Sequence, residues 1–165
     1  MSTATPPGPG GVVVGVDGSE PSLSALRWGA FMASATGGTL TVVSAWQNTA
    51  TLGLVGLVGD GWGSPPSAWD PDAVSRQTLD VALHTVFGDE PPAGIDARVL
   101  QGNTAQVLLE LSGDARMLVV GSRGHGGFAG LLLGSVSAAC TEHATCPVLV
   151  IHGTTAPPPL TNAGT

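Results

Sequence analysis

Residues 117–136 read MLVVGSRGHGGFAGLLLGSV, and this stretch decides the fold. The apolar run Met117 to Val120 suits a buried strand. Gly121-Ser122-Arg123-Gly124 follows at once, then nine residues, then Gly134-Ser135-Val136. From Ser135 to Ala144 small residues follow a helical pattern. Strand, glycine-rich loop and helix N-terminus in succession suit a phosphate. Glycines let the backbone take positive φ and come close to a ligand. The first N–H groups of a helix lack partners inside it, and the helix dipole favours an anion there. Ser135 is the expected N-cap. Three residues on stands Ala138, so no glutamate closes a capping box, and nearby N–H groups stay free for a ligand.

Working outward, Val12 to Val16 is apolar almost throughout, as in a parallel strand buried on both faces, and Asp17-Gly18 breaks it. Ser19 caps the next helix and Pro21 fits its first turn. Leu23, Leu26, Ala30 and Ala33 recur at helical spacing until Gly37-Gly38 ends the run. Thr39 to Ala45 is a β-branched second strand. Gln47 to Trp69 is Gly-rich and too long for an ordinary connection, so residues 47–69 are read as a long flexible loop, either a mobile lid or simply disordered. Its Trp62 and Trp69 either pack on the sheet or cover a ligand. Pro71 to Val86 is a helix with Val74, Leu79, Ala82, Leu83 and Val86 as a loose apolar face, and Gly88 to Gly94 is a turn. Ile95 to Leu100 is a third strand. Thr104 to Ser112 is a helix closed by Gly113. Arg116 to Val120 and Pro147 to Ile151 are the last two strands. Residues 1–11 and 153–165 are expected to be disordered, leaving 12–152 as one domain.

This alternation calls for an α/β fold, an open five-stranded parallel sheet with helices on both faces. Ligands in such sheets bind beyond the carboxyl ends of the strands, where strand order reverses. Asp17 and Gly121 both stand at carboxyl ends, on the first and fourth strands. The edge strand Pro147 to Ile151 is bare and apolar, and a homodimer through it would cover it.

Composition narrows the function. The chain has 165 residues, a net charge of -7 and no lysine; its five cations are all arginine. Such a chain is a poor general binder of nucleic acid. Walker-type phosphate binding and Schiff-base catalysis both need a lysine. A phosphate must therefore be held by backbone N–H groups, hydroxyls, arginine or a metal. The first ten residues do not read as a signal peptide, no apolar run reaches the ~20 residues of a membrane span, and Cys140 and Cys146 form no C-x-x-C pair. The expectation is a cytoplasmic protein with reduced thiols, bound to no membrane.

Bland readings compete with sharp ones. Asp17 alone reads as a turn former; with the downstream loop it reads as a ligand contact, aimed at a hydroxyl or a metal because a bare carboxylate repels phosphate. Arg123 is either a solvated surface residue or a neutraliser of phosphate charge. Gly124-x-Gly126-x-x-Ala129 formally fits a dinucleotide fingerprint, but only one strand follows it and its glycines do not open the helix. Cys140, His143 and Cys146 are spaced three apart, but the cysteines read as a small buried thiol on a helix and another at a strand start rather than as a zinc site, which needs a fourth ligand. His84, His125 and His152 are scattered, with His125 beside the phosphate loop. No Ser-His-Asp or paired-carboxylate set stands out, so no catalytic residue is named.

Three segments together resemble the universal stress proteins of the ATP-binding kind. They are Val13-Val14-Gly15-Val16-Asp17-Gly18-Ser19, Gly121-x2-Gly124-x9-Gly134-Ser135 and Cys146-Pro147-Val148-Leu149-Val150. The resemblance implies a Rossmann-like sheet of the adenine nucleotide alpha-hydrolase type, strand order 3-2-1-4-5, a homodimer, and ATP between the first and fourth strands. It places Gly15 and Val16 on the pocket floor, Asp17 near the ribose and phosphates, Ala45 against the adenine through its backbone, and Val120 on the base. Gly121, Ser122, Arg123 and Gly124 would meet the ribose and phosphates; Gly134, Ser135 and Val136 would hold the outer phosphates. Mg²⁺ or Mn²⁺ would accompany the nucleotide, with Asp17 its candidate ligand. Arg116 departs from the family, which often has an acid there. The function so implied is a nucleotide-dependent stress-response module that an unknown protein partner reads. The alternatives are a slow ATPase in the same pocket and a nucleotide-free dimeric interaction protein.

Overall fold

The computed structural model describes residues 9–47, 70–125 and 132–159. The elements run β1 (Val12–Gly15), α1 (Glu20–Thr36), β2 (Leu40–Trp46), α2 (Pro71–Phe87), β3 (Ile95–Gln101), α3 (Thr104–Leu111), β4 (Met117–Gly121), α4 (Ser135–His143) and β5 (Val148–Ile151). The strands form one parallel sheet in the order β3-β2-β1-β4-β5. The expected architecture and strand order are those observed.

Successive strand side chains point to opposite faces, and this splits the core. Val12, Val14 and Val119 pack with Leu23, Leu26, Leu79 and Ala82, so α1 and α2 cover one face. Val13, Leu118 and Val120 pack with Leu108, Leu111 and Cys140, so α3 and α4 cover the other. Each fully buried Val or Leu among them contributes about 1.5–3 kcal/mol. Helix α1 lies close on β1: a β-carbon on Gly29 would overlap Cγ2 of Val14.

Local chemistry sets the ends of the helices. Ser19 caps α1 and accepts a bond from Ser22 N, and Gly37 ends it in the left-handed region at φ 64°. Asp70 caps α2 and Asn103 caps α3 through their side chains. Helix α3 stops at Ser112, whose N–H bonds Leu108 O, one residue before the expected Gly113. Val74 is 48% exposed and is not part of the apolar face of α2. Ser75, Leu79 and Ala82 form its buried stripe instead.

Hydrogen bonds reach past residues 12–152 at both ends. Gly11 is buried and its carbonyl accepts the Arg116 N–H at 2.8 Å. Beyond β5, the Trp28 indole N–H donates to Thr155 O at 2.8 Å and ties the chain back to α1. The expectations for 1–8, 48–69 and 160–165, Trp62 and Trp69 included, lie outside the described residues.

Candidate functional site

Strand β1 pairs with β2 on one side and β4 on the other. Its crossovers therefore leave in opposite directions and open a crevice beyond its carboxyl end. A cleft of about 430 Å³ lies there, within the usual range of about 300–1,000 Å³ for small-molecule sites. Gly15, Val16 and Asp17 come from the end of β1, and Val120, Gly121, Arg123 and Gly124 from the end of β4. Gly134, Ser135 and Val136 come from the start of α4.

Asp17 is the keystone of this geometry. Its Oδ1 accepts the Ser19 N–H at 2.9 Å and the Ser19 hydroxyl at 2.5 Å. Its Oδ2 accepts the His125 N–H at 3.0 Å, which ties the end of β1 to the loop after β4. Desolvation pushes the carboxyl upward, but the bonds from the Ser19 hydroxyl and the Ser19 and His125 N–H groups outweigh it and hold it below the ordinary Asp value. Asp17 is thus both turn former and cleft wall. A carboxylate has about four acceptor sites, so capacity remains for a hydroxyl or a cation.

Two glycines carry close approaches. A β-carbon on Gly124 would overlap Oδ2 of Asp17, so only glycine brings the loop this near. A β-carbon on Gly121 would lie 2.7 Å from the Pro21 carbonyl carbon, so that glycine serves the packing of β4 against the start of α1.

The start of α4 differs from expectation. Gly134, with φ -73° and ψ 168°, is the N-cap, and no side-chain hydrogen bond caps the helix. Ser135 is the first helical residue, so its hydroxyl is not the cap. The cap backbone is held from below: Gly134 N–H donates to Ser122 O at 2.8 Å, and the Ser137 hydroxyl lies 3.0 Å from both Ser122 O and Gly134 O. The N–H groups of the first turn lack intrahelical acceptors and belong to residues that line the cleft.

Ala45 and Ser122 do not line the cleft. Ser122 is 6% exposed and serves through its carbonyl. Ala45 stands near the end of β2. Val43 O accepts the Val16 N–H at 2.9 Å, whereas Trp46 O accepts the Gly102 N–H. By the two-residue alternation of a strand, the N–H and C=O of Ala45 face the β1 side, past Gly15 where β1 ends. Arg123 is exposed and lines the cleft, so both of its readings survive. Among the described residues no group of three His, Cys, Asp or Glu could hold a metal.

The comparisons with known proteins agree with this geometry. A family model described as Universal stress protein family matches residues 11–152. The chain belongs to the universal stress protein family. Universal stress protein Rv2623 of Mycobacterium tuberculosis is 35% identical over 148 residues, covering 86% of this chain and 47% of its own length. Universal stress protein of Mycolicibacterium smegmatis is 32% identical over 141 residues, covering 86% and 45%. The chain thus spans about half the length of the curated relatives it matches. A crystal structure of a universal stress protein in complex with cAMP aligns with a TM-score of 0.54 and 27% identity, over 87% of this chain and 97% of that one. A universal stress protein from Archaeoglobus fulgidus in complex with dAMP aligns at 0.59 and 20%, over 87% and 98%, and shows the shared fold.

This universal stress protein also brings residues to the cleft that the sequence reading did not single out as contacts. They are Ser22, Thr104, Leu108, Leu133 and Ser137; His125, read from the sequence as beside the phosphate loop, lines it too. Thr104 opens α3, and the signal for it was the run Gly102-Asn103-Thr104, a strand end followed by a cap. Ser137 is 2% exposed and had no signal beyond its helical position.

Among the described residues no helix is long and apolar enough to cross a membrane.

Proposed function

We propose that this chain is an ATP-binding regulatory module. The observation that carries the reading is one cleft that unites the Asp17–His125 tie with the uncapped first turn of α4. The helix N-terminus and Arg123 supply the positive potential that a lysine-free chain must find for phosphates. Asp17 meets the ribose hydroxyls or the Mg²⁺ or Mn²⁺ of the nucleotide. Val120, 3% exposed, floors the base end, and the backbone of Ala45 offers a donor and an acceptor to the adenine edge. The neighbours whose structures contain cAMP and dAMP support an adenine ligand.

The protein acts in this reading by being ordered, with a protein partner recognising the occupied form. Strand β5 lies at the edge of the sheet, and a homodimer through it belongs to the same proposal. Slow hydrolysis is the second reading. The His125 N–H bond to Asp17 brings an imidazole-bearing residue to the cleft, but among the described residues no pair of groups is set to activate a water.

The test is to denature the purified protein and identify any nucleotide that elutes with it, then to measure melting with Mg-ATP, AMP and cAMP. Retained adenine nucleotide, or a larger upward shift with Mg-ATP than with the others, supports the reading. No nucleotide and no shift with any of them overturns it. Multiple-turnover phosphate release lost in Asp17→Ala would favour the ATPase.

A further inference from the structure

A second cleft, of about 740 Å³, lies at the opposite end of the sheet. Leu40 and Ile95, the first residues of β2 and β3, form part of its wall. It shares no lining residue with the cleft beyond β1 and β4. Its long wall is one face of α1: Arg27, Ala30, Phe31 and Ser34 fall at the i, i+3, i+4, i+7 spacing that stacks side chains along a helix. Pro157 and Pro158 close another side. They are held there by the Trp28 indole bond to Thr155 O, and Trp28 in turn meets Phe31 edge-to-face with ring centroids 5.9 Å apart.

The charge in this cleft is what identifies a ligand. Arg27 is half-buried, and no carboxylate among the described residues lines the cleft with it. Arg76 and Arg98 are paired with Asp72 and Asp96. Arg27 has no hydrogen-bond or ion-pair partner among the described residues. Arg27 lines a mainly apolar cleft in a chain of net charge -7, with no counter-charge on it among the described residues. Partly desolvated cations gain most from an anion that brings its own apolar body. Apart from Ser34 and Thr39, the remaining walls are glycine, aliphatic, aromatic and proline surface, which suits a hydrocarbon tail better than a polar one.

We infer that this cleft binds a small amphipathic monocarboxylate, with the carboxylate on Arg27 and the hydrocarbon against Phe31, Leu40, Ile95 and the Pro157-Pro158 wall. The ligand class follows from one cation, no acid among the described lining residues and mainly apolar walls. It does not depend on nucleotide binding at the other end of the sheet. The Trp28–Thr155 bond makes the wall part of the site, so occupancy also changes the surroundings of the Trp28 indole.

The test uses the full chain, with decanoate as probe and decanol as its uncharged counterpart, below the concentration at which decanoate forms micelles. Binding is read by calorimetry and by tryptophan fluorescence. Decanoate is expected to bind saturably and more tightly than decanol. Arg27→Gln is expected to weaken decanoate about tenfold and leave decanol unchanged, as loss of a charge-assisted pair implies. Ala93→Trp, placed on the exposed turn that lines the cleft, fills the space while leaving every α1 residue of the wall unchanged and is expected to abolish both. Melting curves show that each variant is folded. Equal binding of decanoate and decanol, no effect of Arg27→Gln, retained binding in Ala93→Trp, or no saturation overturns the assignment. So does capture of a peptide copying residues 154–159 in place of decanoate, which would make the cleft a seat for proline-rich chain.

Discussion

Gly124 and Asp17 approach so closely that a β-carbon on the glycine would overlap Oδ2 of the carboxylate. The same oxygen accepts the His125 N–H. One missing side chain therefore permits the bond that joins the two walls of the cleft.

Gly124→Ala is expected to push Asp17 aside and break that bond. Both residues are exposed, so the cost in stability should be modest, about 1 kcal/mol. That corresponds to a fall in Tm of a few degrees for a chain of this size. ATP affinity should fall at least tenfold. Calorimetric titration beside a melting curve separates the two effects. Unchanged affinity in a folded variant would remove the Asp17 tie from the binding site.

Gly134→Ser should move stability and affinity in opposite directions. A β-carbon there meets its nearest atom, Arg123 Cα, at 3.5 Å, which is ordinary contact. The added hydroxyl can cap the N–H groups of Val136 or Ser137. Serine in place of glycine at an N-cap stabilises a helix by a few tenths of a kcal/mol. The same N–H groups are then lost to a phosphate. A small rise in Tm with weaker nucleotide binding is expected; tighter binding would show that the first turn of α4 does not hold the anion.

Asp17→Asn tests the carboxylate through pH. Its bonds hold the folded-state pKa below the unfolded value of about 3.9. The native state thus favours the ionised form, and its stabilising contribution is present above the unfolded pKa. That contribution disappears as pH falls through the folded pKa. In urea titrations, the variant should be less stable than the parent near neutrality, and the gap should narrow below about pH 4. A gap that is independent of pH would mean the charge does not stabilise the loop.

The two thiols should react in separate stages. Cys140 is 0% exposed, and burial first, with Cys146 nearby, raises its thiol to about 11. Thiolate is the reactive form, so Cys140 should stay unlabelled by a disulfide reagent in the native protein at pH 8. Cys146 is half-buried. At most one equivalent is expected before denaturation and two after it. Rapid labelling of both would show that α4 opens readily from the sheet.

Much of this architecture was legible because β strands and helices obey different periods. Val12 to Val16 and Met117 to Val120 could be read as buried parallel strands without knowing what covered them. Their alternation with helices then left few topologies. The cleft was legible through glycine positions, but for only part of the reason. The Gly121 identity answers to Pro21, a contact across the fold that no spacing reveals. Gly134 rather than Ser135 became the cap because the chain is anchored from beneath by Ser122 and Ser137, and that anchor is tertiary. Val74 matched the helical stripe, yet it faces solvent because α2 turns Ser75 to the core instead. The order of Gly11 and Thr155 depends on Arg116 and Trp28, partners more than a hundred residues away.

The lysine-free cleft has a regulatory consequence. Acylation of lysine is a common way to erase a positive charge from a binding surface, and no side chain here can receive it. Anion affinity that rests on main-chain N–H groups and Arg123 cannot be silenced by that chemistry.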